Sequence, residues 1–174
     1  MTDGNGAGKF YGKFRGTVVN NLDPMQIGRL QAMVPDVSGL MLSSWAMPCA
    51  AIAGMQMGLF TVPPIGSGVW IEFEHGDPDY PVWTGCFWGS ASEVPSLAKQ
   101  VPPVLFGFSL QTQAQNGLTV NDMPGPTGGI MLKSATGASI IVNDTGIYIT
   151  NGKGASITLT GPTVNVNNGA LTVT

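Results

Sequence analysis

From Gly129 to Thr174, apolar and polar residues alternate in short runs separated by Gly, Asn, Asp and Pro. Six apolar pairs recur: Ile130/Leu132, Ile140/Val142, Ile147/Ile149, Ile157/Leu159, Val164/Val166 and Leu171/Val173. Members of a pair sit two residues apart, so each pair shares one face of an extended strand. A shift of 17 residues carries Ile130 onto Ile147 onto Val164, and Gly137-Ala138-Ser139-Ile140 onto Gly154-Ala155-Ser156-Ile157. A shift of 22 carries Leu110 onto Leu132 and Val120-Asn121-Asp122 onto Val142-Asn143-Asp144, with the loop Met123 to Thr127 as the excess. The pattern therefore starts near residue 108. It predicts two strands per period, each of about four to five residues.

Strands this short, apolar on one side, cannot bury that side alone. One solution is a single-chain solenoid. Another is three identical chains that turn their apolar sides toward a common axis, each forming one side of a prism. A third is half of an ordinary β-sandwich. A single-chain β-helix needs coils of roughly twenty residues or more to enclose a core, which makes this repeat cramped. A sandwich fits poorly with so exact a repeat and with Tyr148 as the one large aromatic after Phe108.

The first half reads differently. Phe10 to Val19 alternates, with Phe14, Gly16 and Val18 on one face. Ile27 to Val34 places Leu30, Ala32 and Val34 together, and Pro35 to Gly39 closes that strand. Ser44 to Cys49 is a short third strand, and Ala50 to Gly58 reads as one or two helical turns or a loop. Val69, Ile71 and Phe73 alternate with Trp70, Glu72 and Glu74 before the turn His75 to Asp79, and Tyr80 to Trp88 follows. Five strands with a break after the third describe an OB-like small barrel. Residues 1–9 form a Gly-rich arm, expected to be mobile unless a partner holds it. Residues 91–107 are Pro-rich and expected to be extended.

Charge narrows the function classes. Only 10% of residues are charged, with 7 Lys+Arg against 10 Asp+Glu and no basic run. Nucleic-acid binding by charge neutralisation is not expected. No apolar run reaches the length of a transmembrane helix, and the start has no Sec-type leader pattern. Cys49 and Cys86 make neither a disulfide framework nor a zinc site, and read as buried thiols of a protein made in a reducing cytosol. His75 is the single histidine. It lacks the partners that general-base or zinc chemistry needs, and reads as a solvated turn residue or a subunit contact. No nucleophile–base pair is evident, so no catalytic residue, metal or cofactor is expected. A chain 43% hydrophobic and so poor in charge has to bury surface elsewhere, which favours oligomerisation.

Two motifs carry a resemblance. The segment Gly68 to Gly85 has an alternating strand, the turn Gly76-Asp77-Pro78-Asp79-Tyr80-Pro81 and a Val82-Trp83-Thr84-Gly85 strand. The stretch Gly28-Arg29-Leu30-Gln31-Ala32-Met33-Val34-Pro35 matches a "Gly-Arg-x-x-Val-x-x-Pro" strand, with Ala32 as a mild departure. In this order, and with this tail, the chain resembles the central spike proteins of contractile tails. These are the baseplate assembly protein V family and its VgrG-like relatives in type VI secretion. The resemblance covers roughly residues 10–174.

The resemblance implies an all-β fold: an arm over 1–9, an OB-fold barrel over 10–90, a linker over 91–107 and an intertwined trimeric β-helix spike over 108–174. It implies Gly76, Asp77, Pro78, Asp79 and Pro81 as the barrel's turn motif. Ile130, Leu132, Ile140, Val142, Ile147, Ile149, Ile157, Leu159, Val164 and Val166 would form the trimer core, with Leu171, Val173 and Thr174 at the tip. The function implied is a rigid homotrimer that punctures the target envelope and links a baseplate hub to a PAAR-like tip protein. Its place would be a virion tail baseplate or contractile injection particle assembled in the bacterial cytoplasm. Some relatives carry a muramidase between barrel and stalk, and residues 91–107 are too few to hold one. Others carry a His-x-His pair at the tip for iron. No histidine follows His75 here, so neither feature carries over. The alternative reading is a carbohydrate-binding OB module on a trimeric stalk, with Trp70, Trp83 and Trp88 as platforms.

Overall fold

The alternation of Phe14, Gly16 and Val18 with polar neighbours makes β1 (Phe14–Asn20), whose inward face is buried at Gly16 and Val18. In the computed structural model, which describes residues 8–173, the chain divides into two units, 1–91 and 92–174.

In the first unit β1 is followed by β2 (Gln31–Met33), a helical turn α1 (Pro35–Ser38), β3 (Met47–Pro48), the hairpin β4 (Ala53–Gly54) and β5 (Met57–Gly58), then β6 (Gly68–Phe73) and β7 (Pro81–Phe87). Five strands form one sheet in the order β2-β1-β6-β7-β3, antiparallel except for the parallel pair β3–β7. Bridges Leu30↔Ala46 and Met33↔Leu42 join its two ends, curling the sheet into a barrel. Inside lie Val18, Leu30, Ala32, Val34, Ala46, Val69, Ile71, Phe73 and Trp83. These include the inward positions that period-two alternation assigns.

Local differences from the sequence reading have local causes. Pro35 sits at the first turn of α1 and Gly39 ends it at φ 61°, so the segment read as a turn winds once as helix. Ala50 to Gly58 contains no helix. Gly54 and Gly58 favour tight reversal over helical winding, and a side chain at Gly58 would run into the Ile52 carbonyl. Strand three shrinks to Met47–Pro48, because Pro48 has no N–H to extend a ladder. Cys49 and Cys86 are exposed free thiols rather than buried ones.

The second unit is one antiparallel sheet that runs through the chain in order: β8 (Gly107–Gln111), β9 (Gly117–Asn121), β10 (Gly129–Lys133), β11 (Ser139–Asn143), β12 (Gly146–Thr150), β13 (Ser156–Thr160), β14 (Thr163–Val166) and β15 (Leu171–Val173). Every one of these strands pairs with its neighbours in sequence, so a single chain makes a continuous side. The turns explain the repeat. Asn143 accepts hydrogen bonds from the Thr145 backbone N–H at 2.9 Å and Oγ1–H at 2.6 Å, closing the two-residue link into β12. Gly146 follows at φ 152°, and a Cβ there would strike the Leu159 carbonyl oxygen. Gly129, its counterpart one repeat earlier, meets the Val142 carbonyl in the same way. The repeated glycine is thus a close approach of two strand backbones.

Residues 91–107 do more than connect. Ala98–Gln100 form a 3-10 turn, and Leu97 is 1% exposed. The Leu97 N–H donates to Gln111 Oε1 at 3.0 Å, and the leucine side chain fills the space over Gly117 that a β-carbon would need.

Candidate functional site

The register of the second sheet aligns its apolar pairs into two columns. One runs Phe108, Val120, Ile130, Val142, Ile147, Leu159, Val164, Val173. The other runs Leu110, Leu118, Leu132, Ile140, Ile149, Ile157, Val166, Leu171. Directly paired antiparallel residues share a face, so all these side chains project from one side of the sheet. The ten residues read as trimer core lie together here, and Leu171 and Val173 extend both columns into β15. Thr174 lies outside the described residues.

This face has no cover in the single chain. Ile130 through Ile157 in these columns are 36% to 47% exposed, the value left when each side chain is shielded only by its ladder neighbours. Over Leu110, Leu118, Leu132, Ile140 and Ile149 the face forms an open hollow of ≈ 460 Å³. Burying what remains exposed is worth roughly 1 kcal/mol per residue, by the rule of 1.5–3 for a full aliphatic side chain. With strands ~4.8 Å apart, eight of them give a side roughly 34 Å long. An exposed apolar strip of that length marks an interface. The opposite face, through Ser109, Thr119, Thr158 and Asn165, is mixed; Leu97 covers it at Gly117, and Thr119, on the same strand, is 4% exposed.

The turn motif of the barrel is a clamp of backbone hydrogen bonds. Asp77 N–H donates to the Glu74 carbonyl at 2.9 Å, Tyr80 N–H to Asp77 at 3.0 Å, and Glu74 N–H to Tyr80 at 3.0 Å. Asp77 Oδ1 also accepts from the Asp79 N–H at 3.1 Å. Gly76 is buried at φ 72°, with the Tyr11 ring 3.0 Å from where a β-carbon would stand. Its carbonyl accepts from the Phe10 N–H at 2.8 Å, and Lys9 pairs with Asp77 at 3.6 Å. Pro81 is fully buried. The motif anchors residues 9–11, where the arm read as 1–9 meets the barrel; residues 1–7 lie outside the described residues. Among the described residues no group of three or more His, Cys, Asp and Glu could hold a metal.

Two features escape a sequence reading. Arg29, the arginine of the motif that opens at Gly28, forms an ion pair with Asp23 in the preceding loop at 2.7 Å, the Asp23 and Arg29 side chains being 4% and 17% exposed. Asp23 also accepts from the backbone N–H groups of Met25, Ile27 and Arg29. Arg29 in turn lies over Trp45, 5.3 Å from its ring centre. The Arg29 guanidinium, with these N–H groups, holds the Asp23 carboxyl far below the usual carboxylate range. The folded protein keeps Asp23 charged where the unfolded chain takes up a proton. The pair's stabilisation is therefore present at neutral pH and is lost as pH falls below the ordinary carboxylate value of about 4. Asp23→Asn is expected to lower the barrel's melting temperature at pH 7 and to flatten its decline toward pH 2. Melting temperatures of the two proteins should draw closer toward the acid end without meeting at pH 2, because the folded carboxyl is still charged there.

The second feature concerns the tryptophans. Trp83 is buried in the barrel, its Nε1–H donating to the Gly28 carbonyl at 3.0 Å. Trp70 packs against Phe87 with the two rings tilted at 49°, and Arg15 is set against both rings. Trp88 is exposed. The three do not form a shared saccharide platform.

The comparisons agree with this division. Residues 14–88 match the family described as the type VI secretion system/phage-baseplate injector OB domain. Residues 107–172 match the phage baseplate V C-terminal trimerisation domain. No curated protein matches the chain. The two matches follow each other along most of the sequence, and the second falls on the sheet that carries the uncovered ladders. The chain belongs to the phage baseplate V family of spike proteins, a homotrimeric component of a phage baseplate or type VI secretion spike, built from an OB barrel and a β-structured trimerisation domain.

Proposed function

We propose that the trimer is the central spike that crosses the target cell envelope when the tail contracts, joined to a hub protein at one end and to a PAAR-like tip protein at the other. The observation that carries this reading is the pair of eight-residue apolar ladders on one side of a sheet made by one chain. Three such sides close into a prism whose interior is continuous aliphatic packing.

Mechanics follow from the strand direction. Strands that lie across the prism axis stack their backbone hydrogen bonds along it, so an axial push compresses the ladder instead of peeling it. The long corners of the prism are turns, such as Asn143 to Gly146, and not unpaired strand edges. Free edges occur only at the ends of the sheet, where lateral pairing is not blocked. In this reading the protein does its work by rigidity and contributes no catalytic chemistry. It assembles in the bacterial cytoplasm before release of the particle.

The edge strand β15 presents Leu171 and Val173, both more than half exposed. Around a threefold axis it suits a cap with threefold-like shape. Deletion of Gly169 to Thr174 is expected to leave the trimer intact, since the strands before β15 still pair along each chain. The same deletion should reduce capture of the PAAR-like tip protein to background in a pull-down and abolish infection or injection. Equal capture by full-length and shortened spikes would place the tip contact elsewhere. Stoichiometric iron in the purified trimer would show instead a self-sealed tip.

A further inference from the structure

The barrel unit carries an apolar surface outside its core. The hairpin β4–β5 and its flanks, Ala50 to Phe60, stand out from the barrel, with Met55 94% and Phe60 70% exposed. They overhang a groove of ≈ 750 Å³ lined by Ile27, Met47, Pro48, Leu59, Phe60 and Trp83. Scattered exposed apolar residues need no explanation, but a clustered patch does. Between Asp36 and Glu72 there is not one Asp, Glu, Lys, Arg or His.

Connectivity decides what meets this surface. β7 ends at Phe87 and Leu97 is already buried on the second unit's sheet. Ten residues span at most about 35 Å. Once three second units associate, each barrel is tethered near two copies of itself, at an effective concentration on the order of millimolar. Even a weak apolar contact is populated under that condition. A charge buried in such a contact would lose its hydration without a partner, and this segment has no ionisable charge to bury.

We propose that the Ala50–Phe60 hairpin and the groove beside it form a second interface between copies of this chain, a head-to-tail contact from barrel to barrel that closes after three. This rests on the homotrimer already assigned. It makes the spike a trimer held at two places, with the barrels locked to one another.

The test uses the full-length protein carrying a benzophenone amino acid in place of Met55, irradiated and run under denaturing conditions, with native mass measured on the same sample. The expected result is covalent dimers and trimers of the 18.1 kDa chain. With the probe moved to position 57, adding Ile52→Asp and Leu59→Asp should cut the cross-linked yield at least tenfold while the native mass stays trimeric. A trimeric mass without cross-links between chains would overturn the barrel interface alone. So would cross-links formed only to another protein in assembled particles. A monomeric mass would remove the trimer and this inference with it.

Discussion

Ile140→Asp and Ile157→Asp are each expected to abolish the trimer. Ile140 stands in register between Leu132 and Ile149, and Ile157 between Ile149 and Val166, all on the uncovered face. Threefold symmetry places three new carboxylates in one layer of the aliphatic interior. Desolvating each costs several kcal/mol without a partner to offset it, and the three repel one another. The neighbouring residue supplies the control. Thr158 pairs with Tyr148 and Asn165 on the opposite face, so Thr158→Asp should stay within about 0.5 kcal/mol of the parent. Native mass spectrometry reads the outcome directly: single chains for the first two variants, three chains for the third. Equal loss from both faces would show that the ladder face is not the interface.

The ladders were legible because period two is rigid. Once Ile130 and Leu132 share a face, the 17-residue repeat commits Ile147, Ile149, Val164 and Val166 to that face too. A slip of one residue would put Met131, Ile141 and Tyr148 there instead, breaking the run of aliphatics. Antiparallel pairing of sequence neighbours then followed from turns too short for a crossover. In the barrel, the buried faces of β1, β2 and β6 were legible for the same reason. What escaped has no periodicity. Leu97 stands in the aperiodic run Pro95-Ser96-Leu97-Ala98-Lys99, and only the sheet beneath it gives it a place. The Asp23–Arg29 pair depends on a loop that turns both side chains inward, although the two residues are six apart. The β4–β5 hairpin has Met and Ala where strands usually carry β-branched residues, so its glycines were its one local signal.

Trp83 shows why a residue type alone does not assign a role. In sequence it is one of three tryptophans near an acidic turn, available as a binding platform. In the fold it is 8% exposed, opposite Ile71 in the β6–β7 ladder, and its indole N–H satisfies the Gly28 carbonyl. Trp83→Ala is therefore expected to cost about 3–5 kcal/mol, the range for emptying a buried aromatic site. In a barrel this small, about 1 kcal/mol moves the midpoint by roughly 4–8 °C, so the barrel transition should fall by more than about 10 °C. Trp83→Phe refills most of the volume but leaves the Gly28 carbonyl without its donor, a loss of about 1–3 kcal/mol. Neither change touches the ladders, so native mass should remain trimeric while calorimetry records the lowered barrel transition. Unchanged melting in Trp83→Ala would mean that the indole serves a ligand and not the core.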